Sequence, residues 1–539
     1  MTKTETTQEH SQRQILRSAS VVGIMTTTSR IFGYARDAVL AMVLGAGNSM
    51  DAFTVAFRLA NLLRRLVGEG AMTAVFVPVF TQYEKKNSQE KVWEFAGIFM
   101  VTLGFLLAGI VIFNILAAPW LIRFMAPGFG AVPGKWELTI FLNRLMAPYL
   151  LFIGLSALVM AILNTRHIFG IPAATPILLN ISIIVCALGL TPFFPERATG
   201  AAIGALIGGV LQWTVQLPAL FKQGFRWKWK VAFNHPEVRR IGRLIVPGLF
   251  GIGITQFELI FGSFVASFLA EGSVSALYYS DRVMELAMGI FAVSLATVIL
   301  PTMSRLAADK KIDEMKHTMI MILRALSFVT VPATIGLMVL ATPIVQVLFE
   351  HGKFTALDTQ RTAFALVFFS TGLFFFSSVK VVVPVFYSLT DMKTPVRIAG
   401  IAFGVNVALT LLLLYPLKQG GIAFAWSLAA AFQFGALLWI FRGRYGRLRL
   451  KEFFAPLTRM TAAALVMGLF CWWFLRATGF SHHGMLLRAA LLLADIGLGV
   501  LVYLGLSLAM GVNEIREWKG LLGKKISRPP SPTFEDTSE

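Results

Sequence analysis

Three apolar stretches of the 539-residue chain carry charges that a lipid bilayer makes costly. TTTSRIFGYARDAVLAMVLGAG holds Arg30, Arg36 and Asp37, and MDAFTVAFRLANLLRRLVGEG holds Asp51, Arg58, Arg64, Arg65 and Glu69. SVSALYYSDRVMEL adds Asp281, Arg282 and Glu285, and a separate lysine, Lys380, interrupts FFFSSVKVVVPV. A charge at mid-membrane costs about 2.5–3.5 kcal/mol on insertion scales, so such groups face a polar interior or mark function. Arginine outnumbers lysine among them. The guanidinium fork binds phosphate or carboxylate bidentately and stays charged at any working pH. The chemistry these residues suit is capture of a large amphiphile with a phosphate or pyrophosphate head, whereas a small cation would be repelled.

Neutralisation is available in place, because Asp37 follows Arg36 and Asp281 precedes Arg282. On a helix, Arg58, Leu62, Arg65 and Glu69 fall on one stripe, and Arg64 lies about 100° round from Arg65. One arginine of that pair can face a cavity while the other pairs or reaches the interface. Two plainer roles stay open: Arg64, Arg65 and Glu69 snorkelling to cytoplasmic water, and Arg282 in a structural pair with Asp281 or Glu285. Concentration in three helices and recurrence across a repeat favour a shared role. Gln256, Glu258, Asn180 and Asp495 are weaker signals, each as well suited to hydrogen bonding between helices.

The elements that must position these groups are membrane helices. The chain is 56% hydrophobic and 14% charged, against about 45–50% and about 25% in soluble domains. A bilayer span needs about 20 mostly apolar residues, and fourteen candidates occur. They lie at 15–45, 50–82, 93–118, 138–164, 172–191, 199–221, 240–270, 274–306, 318–340, 358–388 (with an entry segment from 342), 396–416, 419–441, 455–476 and 485–511. The first, second, seventh and eighth are long, glycine-dotted and polar in places, so bent or protruding helices are expected there.

The net charge of +20 would fit a nucleic-acid partner, but its distribution excludes one. Lys and Arg crowd the loops after even-numbered spans, as in Lys222 to Arg243 and Arg442 to Lys451, and are sparse after odd-numbered ones. That asymmetry predicts both termini on the cytoplasmic side. The chain also repeats: SMDAFTVAFRLANLL from Ser49 aligns with SVSALYYSDRVMELA from Ser273, pairing Arg58 with Arg282. The offset is six spans long, an even number, so the halves are expected as parallel repeats with a substrate site between them. The organisation expected is a cytoplasmic tail over 1–14, an N-lobe over 15–221, a basic loop over 222–239 and a C-lobe over 240–441. Two further spans with a basic loop before them occupy 442–511, and a cytoplasmic tail over 512–539 ends in the disorder-prone SRPPSPTFEDTSE.

Enzyme signatures are not found. The seven histidines lie in tails, loops or near helix ends, and no HExxH, GxSxG or P-loop occurs. Cys186 and Cys471 sit far apart inside apolar runs, which predicts neither disulfide nor metal site. No catalytic residue, metal or cofactor is expected, and no nucleotide-binding domain is present to drive a cycle with ATP.

SRIFGYARD, GAGNSMDAFTVAFRLANLLRRLVGEGA, AILNTRHIFGIPAATPILLNIS, LYYSDRVMEL, EHGKFTALDTQ and FYSLTDMKTPV occur in that order from the first span to the eleventh. Together they resemble the MurJ (MviN) family of lipid II flippases. The resemblance implies an all-α polytopic fold of the multidrug/oligosaccharidyl-lipid/polysaccharide exporter superfamily. That fold has fourteen transmembrane helices, two parallel six-helix repeats in a V around a cationic cavity, and two C-terminal helices forming a groove for the polyprenyl tail. It implies pyrophosphate binding at Arg30, Arg36, Arg64 and Arg282 and a functional acid at Asp51. Asp37, Arg58, Arg65, Glu69, Asp281, Glu285 and Lys380 are expected to support the cavity or its gates. Arg58 and Ala60 stand where the family often has lysine and proline, so the charge persists with less reason to kink; Glu258 and Asp495 match no motif.

The activity implied is movement of undecaprenyl-diphosphate-linked disaccharide-pentapeptide between leaflets of the bacterial inner membrane by alternating access, reset by membrane potential or a coupling cation. The partners expected are lipid II, membrane lipids and the cell-wall synthesis machinery, with the chain working as a monomer. The competing expectations are a flippase for another polyprenyl-diphosphate oligosaccharide, of O-antigen or capsule type, and a cation-coupled multidrug exporter. The exporter should carry more acids than arginines in its cavity.

Overall fold

The computed structural model describes residues 3–64, 75–512 and 514. Within them the chain is helical, with no strand. In order the helices are α1 (Lys3–Leu44), α2 (Asn48–Arg64), α3 (Val77–Lys86), α4 (Gln89–Met125), α5 (Lys135–Met146), α6 (Tyr149–Thr165), α7 (Gly170–Gly189), α8 (Ala198–Thr214) and α9 (Leu217–Lys222). The second half has α10 (Pro236–Ala266), α11 (Ser273–Ala308), α12 (Ile312–Val339), α13 (Ala341–Phe349), α14 (Ala356–Ser370), α15 (Leu373–Ser388), α16 (Lys393–Tyr445), α17 (Leu450–Ala477) and α18 (Met485–Ala509).

Each of the fourteen sequence spans falls on one of these helices or on a pair of them. Eight described helices are long and apolar enough to cross a bilayer by length and composition, and the bent pair α14–α15 makes nine. The spans on α1, α2, α10 and α11 are not among those counted within the described residues. The 53 residues of α16 hold two spans, separated where Lys418 leaves helical geometry (φ 49°, ψ −128°) just after Pro416. The expected length of the first, seventh and eighth spans is realised as helices of 42, 31 and 36 residues. In α1 the polar N-terminus continues the helix from Lys3 instead of standing apart from it. Arg65 and Glu69, and the C-terminal SRPPSPTFEDTSE, lie outside the described residues.

Packing divides the chain into two compact units, one made of Met1–Leu286, Ala341–Gly372 and Lys393–Gln433, the other of Ala287–Leu340, Leu373–Met392 and Phe434–Glu539. In the first, α8 lies against α7 through Gly200, Gly204 and Gly208, one turn apart. A Cβ at Gly204 would stand 2.8 Å from Ile183 Cα and from Ser182 O. Small residues let two backbones meet directly, which is how helices associate where lipid gives no hydrophobic drive. Helix α7 also packs on α1, so the α7–α8 pair is the support behind the helix carrying Arg30, Arg36 and Asp37. In the second unit α12 packs on α15 and α17, and α17 on α18; the Tyr503 hydroxyl ties α18 to α12 by donating to Phe328 O at 2.9 Å.

Candidate functional site: an arginine cluster on α1 and α11

Asp37 is the centre of the cluster. It is 1% exposed and accepts from three directions. Arg36 donates to Oδ1 through Nε at 2.9 Å and Nη2 at 2.6 Å, and the Tyr278 hydroxyl from α11 donates to the same oxygen at 2.8 Å. Arg282, one turn beyond Tyr278, places its Nε 3.7 Å from Asp37 Oδ2. The i, i+4 spacing also sets the Arg282 guanidinium 5.0 Å from the Tyr278 ring centre, a cation–π geometry.

Arg36 is almost fully engaged. Besides Asp37 it donates through Nη1 to Asn180 Oδ1 at 3.1 Å and through Nη2 to the Tyr278 oxygen at 3.2 Å. Asn180 on α7 in turn donates to Ser29 O at 3.1 Å, so its expected role as a bond between helices is met and it fixes Arg36 as well. Arg282 is different. Its Nη1 pairs with Glu285 Oε2 at 2.5 Å, but its buried Nε has no hydrogen-bond acceptor. A buried charged donor without an acceptor is expensive, and an incoming oxyanion would supply one. Arg30 is exposed on α1; it shares a stripe with Tyr34 and Asp37, at steps of four and three.

The other expected residues separate into distinct places. Asp51, 1% exposed, forms an ion pair with Lys135 Nζ at 2.7 Å. It also accepts from Gly272 N at 2.9 Å and from Ser275 N and Oγ at 2.8 and 2.5 Å. It thus caps the start of α11, where backbone N–H groups have no partner of their own. Arg58 reaches α10, donating to Leu259 O at 3.3 Å and to Ser263 Oγ. With Asp281 it lines a crevice of about 10 Å³, room for a single water. Lys380 belongs to the second unit, where its Nζ stands 3.4 Å from Met288 Sδ. Arg64 ends α2, and its side chain, like Arg65 and Glu69, lies outside what is described.

Sequence reasoning passed over Tyr278, Lys135 and Ser275. Lys135, three residues before the fourth expected span, and Ser275, just inside the eighth, are types common at helix starts and carried no signal of their own. Tyr278 carried a usable signal: it lies four residues before Arg282, on the same face.

The EHGKFTALDTQ block finds its place beside α1. Lys353 N donates to Met42 O at 2.9 Å, and Gly352, with φ 58°, lies so close to Met42 O that a Cβ would collide with it. Thr355 and Asp358 form a reciprocal capping box that starts α14.

A family model, described as lipid II flippase MurJ, matches residues 40–491. The chain belongs to the lipid II flippase MurJ family. A Vibrio cholerae serotype O1 protein described as "Probable lipid II flippase MurJ" is 38% identical over 514 residues, covering 93% of this chain and 97% of that one. A Burkholderia cenocepacia protein described as "Lipid II flippase MurJ" is 32% identical, with coverage of 92% and 98%. Among solved structures, a lipid II flippase MurJ in an inward closed conformation matches with TM-score 0.77 and 26% identity over 93% of this chain and 99% of that one. An inward-facing multidrug transporter of the MATE family matches with TM-score 0.64 at 15% identity over 79% and 98%, a likeness of fold. This MurJ-family chain is therefore an integral membrane protein of a transporter family, not of an enzyme family.

Proposed function

We propose that the chain is a lipid II flippase, moving undecaprenyl-diphosphate-linked disaccharide-pentapeptide from the cytoplasmic to the outer leaflet of a bacterial inner membrane for peptidoglycan synthesis. Both termini lie in the cytoplasm, as the Lys/Arg asymmetry favours. The observation that carries the reading is the Nε of Arg282, which lies 3.7 Å from Asp37 without a hydrogen-bond acceptor, in a cluster where arginines from α1 and α11 converge. A diphosphate oxygen completes the coordination of Arg282, with Arg30 and Arg64 adding charge as the head group arrives. Asp37, Tyr278 and Asn180 hold Arg36 and Arg282 in position without covering Arg282 fully.

Alternating access requires one end to be shut while the other is open. Supporting a shut outer end are the bonds from Asp51 to Gly272 and Ser275, together with the bond from Lys353 to Met42. Opening that end means parting Asp51 from the start of α11. Membrane potential or a cation gradient resets the cycle.

The test is functional replacement. A strain depleted of its own lipid II flippase is supplied with this chain, and growth and outward-facing lipid II are measured. Wild type restores both, while Arg30→Ala, Arg36→Ala and Arg282→Ala lose them at normal expression. Growth of all three alanine variants would remove the arginine cluster from the mechanism.

A further inference from the structure

A second polar hollow lies in the first unit, away from the Asp37 cluster. A basin of about 360 Å³ opens between the second turn of α14, the start of α11 and the break in α16; Gln360, Arg361, Phe364, Ser273, Lys418 and Gln419 supply its chemistry. Two cations line it and no acid does. The nearby Glu271 carboxylate is committed to the Asn48 amide at 3.0 Å. Arg361 anchors itself through Nη1 to Glu271 O at 2.6 Å, and its other donors make no bond to a described residue.

Two features mark the basin as built to receive something. Gln419 is 7% exposed, lines the hollow, and has no side-chain hydrogen bond to a described residue. Its amide is not among the sealed, unsatisfied polar atoms, so it is open to the hollow and available to a ligand there. Lys418 sits at φ 49°, ψ −128°, a conformation that glycine adopts freely and lysine does not. Strain of this kind persists where the surroundings over-determine it and clusters at ligand sites. Here it sets a lysine in the lining together with Arg361. Phe364, 42% exposed, gives the rim an apolar side, as a head group still joined to its lipid requires.

We propose that this basin is a second anion site, taking the oxyanion head group (phosphate, diphosphate or carboxylate) of a membrane amphiphile. Arg361 and Lys418 are the charged ligands and Gln360 and Gln419 the amide ligands. The α10–α11 loop and the α16 break are on the face poor in Lys and Arg, which the reading above makes the outer one. Resting on that reading, the basin lies where an outgoing lipid-linked product meets the outer leaflet. Two sources offer the same chemistry, the product and the anionic phospholipids around it.

The experiment measures amphiphile retention by native mass spectrometry of the full chain in detergent. The probes are phosphatidylglycerol, phosphatidylcholine and the undecaprenyl-diphosphate-linked disaccharide-pentapeptide. Lys418→Gly suits the backbone at that position, so its fold is retained, with Tm as the control; Arg361→Gln is the second variant. Each is expected to lower retention of an anionic probe at least fivefold and leave phosphatidylcholine unchanged. A loss confined to the disaccharide-pentapeptide probe identifies the product as ligand, and one confined to phosphatidylglycerol identifies bilayer lipid. Wild-type retention of both anionic probes by both variants, or an equal fall for phosphatidylcholine, overturns the proposal. Arg282→Ala serves as the separate arm. Its failure to impair transport would undo the central reading and leave the basin result standing.

Discussion

Asp51 and Ser275 occupy equivalent positions in the two halves of the chain, 224 residues apart, and they touch: Asp51 Oδ1 accepts from both the amide and the hydroxyl of Ser275. Contact between equivalent positions is expected only near the axis relating two repeats, so the axis of this pseudo-symmetry passes close to the starts of α2 and α11. The same relation orders the arginines. Arg58 on α2 reaches α10, the first long helix of the second half, and Arg282 on α11 reaches Asp37 on α1, the first helix of the first half. Each half sends its second-span arginine into the other's first span. Arg58 donates to neutral oxygens of α10, and Arg282 stands beside a carboxylate of α1.

The contact at the axis should be strongly coupled to Lys135. With Lys135 and Asp51 both nearly inaccessible, Asp51→Asn leaves a buried ammonium without its counter-charge, at a cost of about 3–5 kcal/mol. Lys135→Met leaves the carboxylate, with its bonds from Gly272 and Ser275 intact, and should cost less. The double variant is expected to be more stable than the sum of the two predicts, by about 1–3 kcal/mol. Thermal unfolding of the four proteins in one detergent measures this, and strict additivity would mean the pair is not an energetic unit.

Arg282→Lys keeps the charge and loses the planar fork. If Arg282 binds a diphosphate through its Nε, which has no hydrogen-bond acceptor, while holding Glu285 through Nη1, an ammonium cannot do both. Transport by Arg282→Lys should fall at least tenfold, with Tm within a few degrees of wild type. Transport equal to wild type would reduce the role of Arg282 to charge alone. Tyr278→Phe removes the hydroxyl shared by Asp37 and Arg36 and is expected to cost about 1–3 kcal/mol of stability, as for any buried network left one bond short.

The sequence made the helices legible because an apolar run of span length has few alternatives in lipid. It also placed Arg36, Asp37 and Arg282 among the functional candidates from their cost alone, and these three meet. What it hid was who pairs with whom. Asn180 was a candidate for a bond between helices but lies 144 positions from Arg36, and Tyr278, which drew no attention, lies 242 from it. Asp51 shows the limit most clearly: as an intramembrane acid it ranked with Asp37, yet it caps α11 and pairs with a loop-side lysine. Single-residue cost identifies which groups need partners; only packing decides who the partners are.

The support behind α1 can be tested without touching a charge. Gly204→Ala puts a methyl 2.8 Å from the Ile183 backbone, so α7 and α8 must move apart, for a loss of about 1–3 kcal/mol. Gly400→Ala on α16 meets no atom within 4 Å and should be neutral or stabilising by about 0.5–1 kcal/mol, since alanine favours the helix. Equal effects at the two sites, read as Tm, would show that α7–α8 contact is not what limits stability there.

The two repeat-related arginines give the last test. Arg58 donates to Leu259 O and Ser263 Oγ in a crevice that admits one water, so it has no room to meet a diphosphate. Its contribution should be to hold α2 against α10. Arg58→Met, which keeps the length and loses the donors, is therefore expected to lower stability by about 1–3 kcal/mol while transport per folded molecule stays within threefold of wild type. Under the proposed function Arg282→Met should show the reverse, a small change in Tm and loss of transport, because the Arg282 Nε has no hydrogen-bond acceptor to lose. Measuring both quantities on both variants separates charge kept for packing from charge kept for substrate. If Arg58→Met abolished transport at unchanged stability, the asymmetry between the halves would have to be abandoned, and the crevice around Arg58 would have to open during the cycle.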